Sequence, residues 1–386
     1  MCGSNLKQTH TVSYMFRTCV YRTKKEPPFM GKDIPKYAAL IEWSKDKIHA
    51  GEFPVNSKFY SEMDLAVRFG ISRQTVRHAL EHLEQTGYIR RVRGSGTYVS
   101  YTGRDTRSKT MNIGVISTYL DDYIFPGIIR GIERVLTRHG YSMQLALTHN
   151  QVKNESRALE RMLDGVDGLI MEPTKSGLPN ANLDLFAQIE QSGLPLLFFN
   201  AHYPALSFPY VALDDEAAGR IATRHLIDAG HRRIAGFFQS DDLQGHLRYS
   251  GYSQAMKAAG LPVEDRNTLW YTTEDQPDLM VYTKRIRKRL EGCTALLCYN
   301  DQLSLSFLEF CRGQGLRIPE DLSLVSVDNS DLAAICEVPL TSVAHPMEQL
   351  GQTAAKNLLG LINGTLSDAT FRFAPHLVER NSVRKL

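Results

Sequence analysis

Between residues 35 and 50 the apolar positions Tyr37, Leu40, Ile41 and Ile48 recur at helical spacing, and Gly51 ends the run. A second run opens at Ser61, where Ser61-Glu62-Met63-Asp64 has the form of a capping box, and stops at Phe69-Gly70. A third opens at Ser72, whose hydroxyl can cap the first-turn amides. It gathers Val76, Ala79, Leu80 and Leu83 on one face and stops at Gly87. Two short strands follow, Tyr88–Val92 and Thr97–Val99, around the tight turn Arg93-Gly94-Ser95-Gly96. Three helices and a hairpin predict an α+β winged helix-turn-helix over residues 33–100.

Beyond residue 110 the rhythm changes. Asn112–Ser117, Met143–Thr148, Gly168–Met171, Pro195–Phe199, Ile234–Phe238, Ala295–Cys298 and Leu322–Val327 are apolar almost throughout and alternate with amphipathic stretches of helical period. Strands of that kind belong to parallel sheets with helices on both faces. Residues 111–386 are too many for one doubly wound sheet, so a two-lobed α/β domain is expected. Tyr101–Thr110 is polar and reads as a linker. Residues 1–32 lack sustained periodicity and read as a disordered leader, with Met30 as an alternative start.

Composition narrows the class. With 42% hydrophobic and 23% charged residues, the 386-residue chain reads as a soluble globular protein of more than one folding unit. No apolar run approaches the roughly 20 residues that span a bilayer. The early basic residues Arg17, Arg22, Lys24 and Lys25 precede no apolar core of a signal peptide, so a cytoplasmic protein is expected, with no membrane partner. Cys2, Cys19, Cys293, Cys298, Cys311 and Cys336 show neither CxxC nor Cys/His ligand spacing, which fits reduced thiols and no zinc site. The net charge of +3 conceals an asymmetry: residues 1–110 carry 19 Lys and Arg against 10 Asp and Glu, and residues 111–386 carry 26 against 32. A basic front on an acidic body points to a polyanion partner for the front alone.

The third predicted helix shows how such a partner is read. Its apolar face anchors it, leaving Arg73, Gln74, Thr75 and Arg77 on the other face and at the exposed N-terminal end, where recognition helices meet bases and phosphates. Arginine suits guanine O6/N7 or a bidentate phosphate contact. Ser61-Glu62-Met63-Asp64-Leu65-Ala66, Ser72-Arg73-Gln74-Thr75-Val76-Arg77 and Arg93-Gly94-Ser95-Gly96-Thr97-Tyr98-Val99 together resemble the winged-helix domain of the GntR family. That resemblance implies DNA contacts from Lys36 and Tyr37 ahead of the first helix, Glu62 on the second, Ser72, Arg73, Gln74, Thr75 and Arg77 on the third, and Arg93, Gly94 and Gly96 on the wing. Phe59-Tyr60 departs from the family's usual Leu-Pro, at a place that faces no DNA.

The second domain is similar to the sensor of LacI/GalR repressors, itself like periplasmic sugar-binding proteins. The resemblance rests on Gly114-Val115-Ile116, Phe125-Pro126-Gly127-Ile128-Ile129-Arg130-Gly131, Ala229-Gly230-His231-Arg232-Arg233-Ile234, Asn300-Asp301-Gln302, Val327-Asp328-Asn329 and Pro339-Leu340-Thr341-Ser342-Val343. It implies lobe 1 over about 111–211 and 343–369 and lobe 2 over about 212–342 and 370–386, with the effector between them at the carboxyl ends of strands. The implied contacts are Arg248, three residues before Gly251, Asn300, Asp328 and Asn200. Glu172, then Tyr119, Asp122 and Tyr123 in the loop after the first strand, and His345 and Met347 at a lobe crossover complete the set. For each acid or amide at a strand end, the competing assignment is a helix cap.

Enzyme chemistry is not indicated. Asp121-Asp122, Asp214-Asp215 and Asp241-Asp242 are sequence neighbours that do not face one reaction centre and read as caps or solvated loops. There is no GxxxxGK[ST], GxSxG or HExxH, and no cofactor is expected. The pairing of these two domains resembles the arabinose-responsive repressors of Gram-positive bacteria. It implies a homodimeric repressor on a near-palindromic operator, released by a small sugar, L-arabinose, with another sugar or a purine as the alternative effector. A sugar-binding transport protein is the other reading, opposed by the absent signal peptide and the basic winged helix.

Overall fold

A computed structural model describes residues 36–92, 94–101, 109–121, 124–163 and 165–386. The leader, Arg93, most of the linker, Asp122 and Tyr123 lie outside the described residues. The chain divides into two compact units after Arg107.

In the first unit, helices α1 (Lys36–His49), α2 (Glu62–Phe69) and α3 (Arg73–Gln85) precede strands β1 (Ile89–Val92) and β2 (Gly96–Val99), which pair antiparallel. The capping box forms: the Ser61 hydroxyl accepts from the Asp64 amide at 3.2 Å, and the Asp64 carboxylate accepts from the Ser61 amide at 3.1 Å. Gly70 ends α2 in the left-handed region at φ 61°. Leu40, Leu65, Val76, Leu80, Leu83 and Val99 are fully buried together. The Phe59-Tyr60 departure is absorbed by packing. Phe59 is buried edge-on against Phe53, and Tyr60 lies against Trp43 and accepts from Arg68 at 3.0 Å.

The second unit holds β3 (Asn112–Ser117), α4 (Phe125–Arg138), β4 (Ser142–Leu147), α5 (Val152–Met162), β5 (Gly168–Met171), α6 (Leu183–Ser192), β6 (Leu196–Phe199) and β7 (Tyr210–Leu213). These are followed by α7 (Asp215–Asp228), β8 (Ile234–Gln239), α8 (Leu243–Ala258), β9 (Thr268–Tyr271), α9 (Thr283–Leu290), β10 (Ala295–Cys298), α10 (Asp301–Gly313), β11 (Ser323–Asp328) and α11 (Asp331–Ile335). The chain ends with β12 (Thr341–Ala344), α12 (Met347–Ile362), β13 (Phe371–Phe373) and β14 (Leu377–Val378). Lobe 1 is built on a parallel sheet ordered β13-β7-β6-β5-β3-β4. Lobe 2 is ordered β14-β12-β11-β10-β8-β9, parallel except for its β14 edge.

Three expected lobe limits move. Residues 212–213 complete β7 in the lobe 1 sheet. Residues 343–344 belong to β12, whose register against β11 (Val325↔Thr341 to Asp328↔Ala344) keeps them in lobe 2. Residues 371–373 form β13, which pairs with β7 in lobe 1. Thr341-Ser342-Val343-Ala344 and Phe371-Arg372-Phe373 carry polar residues, so neither shows the continuous apolar run that marks the predicted strands.

Each lobe is clamped by one helix pair that meets through reciprocal glycines. In lobe 2, a Cβ on Gly219 of α7 would lie 2.1 Å from the Arg248 carbonyl, and one on Gly251 of α8 would lie 2.0 Å from the Glu216 carbonyl. In lobe 1, Gly131 of α4 and Gly351 of α12 stand in the same relation, at 2.3 Å from the Glu348 carbonyl and 2.0 Å from the Ile128 carbonyl. Only a missing Cβ permits backbones this close. Gly251→Ala should therefore lower stability by roughly 1–3 kcal/mol through overpacking. Gly313→Ala, on α10 with open space around its Cβ, should be neutral or slightly stabilising. Thermal unfolding of the two variants beside the parent checks the contrast.

Candidate effector cleft and DNA-reading surface

The carboxyl ends of the strands of both lobes face a cavity of about 450 Å³, a volume usual for a small-molecule site. Six of the predicted contacts line it: Tyr119, Glu172, Asn200, Arg248, Asn300 and Asp328.

On the lobe 2 side the guanidinium of Arg248 is the centre. It is 3% exposed. Its Nε donates to Asp215 Oδ1 at 2.8 Å and its Nη1 to the Tyr299 carbonyl at 2.6 Å; Nη2 lies 3.5 Å from Asp328 Oδ1. The cation also sits 4.7 Å from the centre of the Tyr299 ring. Burial alone would weaken the charged form, but Asp215 and Asp328 more than offset it and hold the guanidinium above its ordinary range. Burial pushes the Asp215 carboxyl up to about 6 even with Arg248 beside it. Asp328 is aimed by its turn. It adopts φ 107°, and buried Asp301 ties that turn by accepting from the Ser330 amide and the Ser342 hydroxyl, both at 2.7 Å. Asn300 proves to be a cap as well as a lining residue: its Oδ1 accepts from the Leu303 amide at 2.9 Å.

On the lobe 1 side the network is built on a buried carboxyl and amide rather than a cation. The Glu172 carboxyl accepts from the Thr118 amide at 3.0 Å, from the Thr118 hydroxyl, and from Asn200 Nδ2 at 2.7 Å. Burial pushes it up to about 7 against those hydrogen bonds. With its amide nitrogen committed to Glu172, Asn200 turns its oxygen to His345, whose Nε2 donates at 3.0 Å. Burial brings the His345 ring down to about 4, so it is neutral at pH 7.

Two predicted contacts move out of the cavity wall. His345 stands behind Asn200, and Met347 opens α12 against Gly127 of α4. The chain is crossing between lobes there, and Asn200, which His345 contacts, is the residue that lines the cavity. The adjacent acids also depart from the solvated-loop reading. Asp214 does cap α7, accepting from Ala217 at 3.0 Å, but Asp215 and Asp241 are buried and each holds a cation. Asp242 lines the cavity and accepts from the Tyr299 hydroxyl at 2.9 Å. Thr118, Gln239 and Tyr299, absent from the predicted set, each follow or end a predicted strand, and the strand-end rule applied evenly would have found them. The cavity thus offers carboxylate acceptors, amides and one paired arginine beside Tyr119, Phe125 and Tyr299. This set suits a neutral polyhydroxylated ligand with an apolar C–H face. Among the described residues no His, Cys, Asp or Glu group is arranged for a metal, and no helix is long and apolar enough to cross a membrane.

In the first unit, Ser72 caps α3 by accepting from the Thr75 amide at 3.1 Å, and its hydroxyl lies 2.8 Å from that of Thr75. Arg73, Gln74 and Arg77 are exposed on the same turns. Arg77 is steadied by Glu62 at 3.2 Å, and Arg73 reaches the Met63 sulfur at 2.9 Å. Lys36 and Tyr37 belong to α1 itself rather than preceding it, and Tyr37 stands edge-on to exposed His78, a residue outside the predicted set. Gly94 and Gly96 at the wing have φ of 77° and 122°, conformations that favour glycine.

Comparison with known proteins agrees with both halves. Residues 37–99 match the model of the bacterial regulatory proteins of the gntR family, and residues 223–383 match that of the periplasmic binding protein-like domain. The arabinose metabolism transcriptional repressor of Geobacillus stearothermophilus is 39% identical over 363 residues, covering 92% of this chain and 99% of the relative. That of Halalkalibacterium halodurans is 36% identical over 361 residues, covering 90% and 96%. The transcriptional regulator CelR in complex with cellobiose shares the fold with a TM-score of 0.64, at 24% identity, over 80% of this chain and 90% of that one.

The buried Glu172 makes a pH prediction. Its folded pKa lies above the ordinary 4.5, so the stability tied to its protonated form is complete below about 4.5 and is lost as pH rises through about 7. Glu172→Gln should flatten the fall of the unfolding midpoint across that window. An unchanged pH profile would show that the carboxyl titrates normally.

Proposed function

This chain belongs to the family of the arabinose metabolism transcriptional repressors, and from that premise we propose that it binds a near-palindromic operator as a homodimer and releases it when L-arabinose enters the cleft. The relatives are repressors, not enzymes, and cytoplasm is the compartment in which such a protein meets its operator. The observation that carries the reading is the junction of Arg248, Asp328 and Asn300 at one end of the cavity with Glu172 and Asn200 at the other. Asp328 would accept one or two hydroxyl protons of the sugar, and Asn300 and Asn200 would bond neighbouring hydroxyls. Tyr119 or Phe125 would cover the C–H face. Sugar held by both lobes favours the closed arrangement, and closure shifts the dimer away from the geometry that sets two α3 helices in successive major grooves. Residues 101–110 carry no hinge-helix pattern of the LacI kind, so the coupling passes through the linker in another way.

Arg73→Ala and Arg77→Ala should each weaken operator binding by about 1–3 kcal/mol at fixed salt, with sugar binding unchanged. Gel-shift titration reads the first, calorimetry the second. Asp328→Asn should leave operator binding intact and weaken L-arabinose binding tenfold or more, since a hydrogen bond to a charged group is worth about 1.5–3 kcal/mol. Equal calorimetric affinities for parent and Asp328→Asn would misplace the site. A parent that ignores L-arabinose but binds another sugar would correct the effector alone.

A further inference from the structure

A second set of contacts joins the lobes at the rim of the cleft. Lys175, in the segment after β5, holds a left-handed backbone at φ 46°, and its amide donates to Asn150 Oδ1 at 2.7 Å. Its ammonium reaches across to lobe 2, donating to Asp241 Oδ2 at 3.1 Å and to both oxygens of Glu274 at 2.7 and 2.9 Å. Asp241 is 1% exposed and takes further hydrogen bonds from the Thr273 amide at 3.1 Å. The neighbours repeat the crossing. Asn150 Nδ2 donates to Thr273 Oγ1 at 2.6 Å, the Gly177 amide to the Asp241 carbonyl at 3.0 Å, and the Leu243 amide to Ser176 Oγ at 2.9 Å. A Cβ on Gly177 would lie 2.9 Å from the Ser240 carbonyl, so the approach of the two segments requires the glycine. A residue strained in φ persists only where its surroundings hold it, and here part of those surroundings belongs to the other lobe.

None of Lys175, Asp241 and Glu274 lines the effector cavity. We infer that Lys175, Asp241 and Glu274 form a latch that sets the free energy of lobe closure independently of the sugar contacts, and so tunes the effector concentration at which the operator is released. Opening the cleft exchanges the pairing of Lys175 with Asp241 and Glu274, and the hydrogen bonds beside it, for contacts with water, so the balance of the two enters the free energy of closure. A latch that favours the closed state multiplies the apparent affinity of any ligand that binds that state better. The inference rests on the closure mechanism proposed above, but not on the identity of the sugar.

The experiment uses the full chain and two readouts. In sugar-free protein, hydrogen exchange at the Gly177 and Leu243 amides, whose hydrogen bonds cross between the lobes, reports the latch itself. Lys175→Met should speed that exchange about three- to tenfold, and Glu274→Gln, a change at an exposed residue that spares the fold, should speed it by less. Lys175→Arg should restore the parent rate. With L-arabinose, calorimetry should show affinity falling by a like factor in Lys175→Met, and the parent's affinity should weaken with added salt more steeply than the variant's. Unchanged exchange in both variants overturns the latch, as does a Lys175→Met effect that is insensitive to salt and absent in Glu274→Gln. A parent that does not bind L-arabinose, with the exchange pattern as expected, leaves the latch standing and removes only the effector.

Discussion

The sensor is arranged around a buried cation. A buried guanidinium is tolerable only when its charge and its donors are met, and removing one partner of a buried pair is more damaging than never having built it. Arg248 finds its partners at the start of α7, at the end of β10 and at the end of β11. Those elements must converge for the pairing to exist, and their convergence is the floor of the cleft. The glycine contact between α7 and α8 belongs to the same constraint. Gly219 packs directly on the Arg248 carbonyl, one turn beyond Asp215, so helix packing fixes the distance over which the ion pair forms.

The two lobes meet a ligand with different electrostatics. Lobe 2 offers a fixed cation held by carboxylates, whereas lobe 1 offers a hydrogen-bonded chain from a neutral His345 through Asn200 to the buried Glu172 carboxyl and Thr118. The orientation of each member of that chain follows from its neighbour, because a neutral imidazole donor forces the Asn200 oxygen toward it and the Asn200 nitrogen toward Glu172. A ligand that touches both sides joins a rigid charged floor to a polar roof, and the Lys175 contacts at the rim add to the same closure.

Much of this was legible in the sequence where period and chemistry agree. The capping box at Ser61, the apolar face of α3 and the strands Asn112–Ser117, Gly168–Met171 and Ala295–Cys298 appear where the pattern puts them. The missed strands, Tyr210–Leu213, Thr268–Tyr271, Thr341–Ala344 and the two short edges after α12, take their place from partners distant in sequence rather than from their own pattern. Arg248, Asn300 and Asp328 were found through their motif neighbours. Asp215 and Asp241 were not, because an acid beside another acid looks solvated until a lysine or arginine remote in sequence is folded against it. His345 was placed in the right neighbourhood and the wrong layer, since spacing locates a crossover but not which side chain stands in front.

The central claim is that sugar in the cleft and operator on the winged helix compete for the conformation of one molecule. Such coupling is reciprocal by thermodynamic necessity. The most direct test is the L-arabinose affinity of the full chain measured with and without saturating operator DNA, beside the operator affinity measured with and without saturating sugar. The account predicts that operator weakens sugar binding by the same factor by which sugar weakens operator binding. Sugar that binds equally well to the free and the operator-bound protein would contradict it.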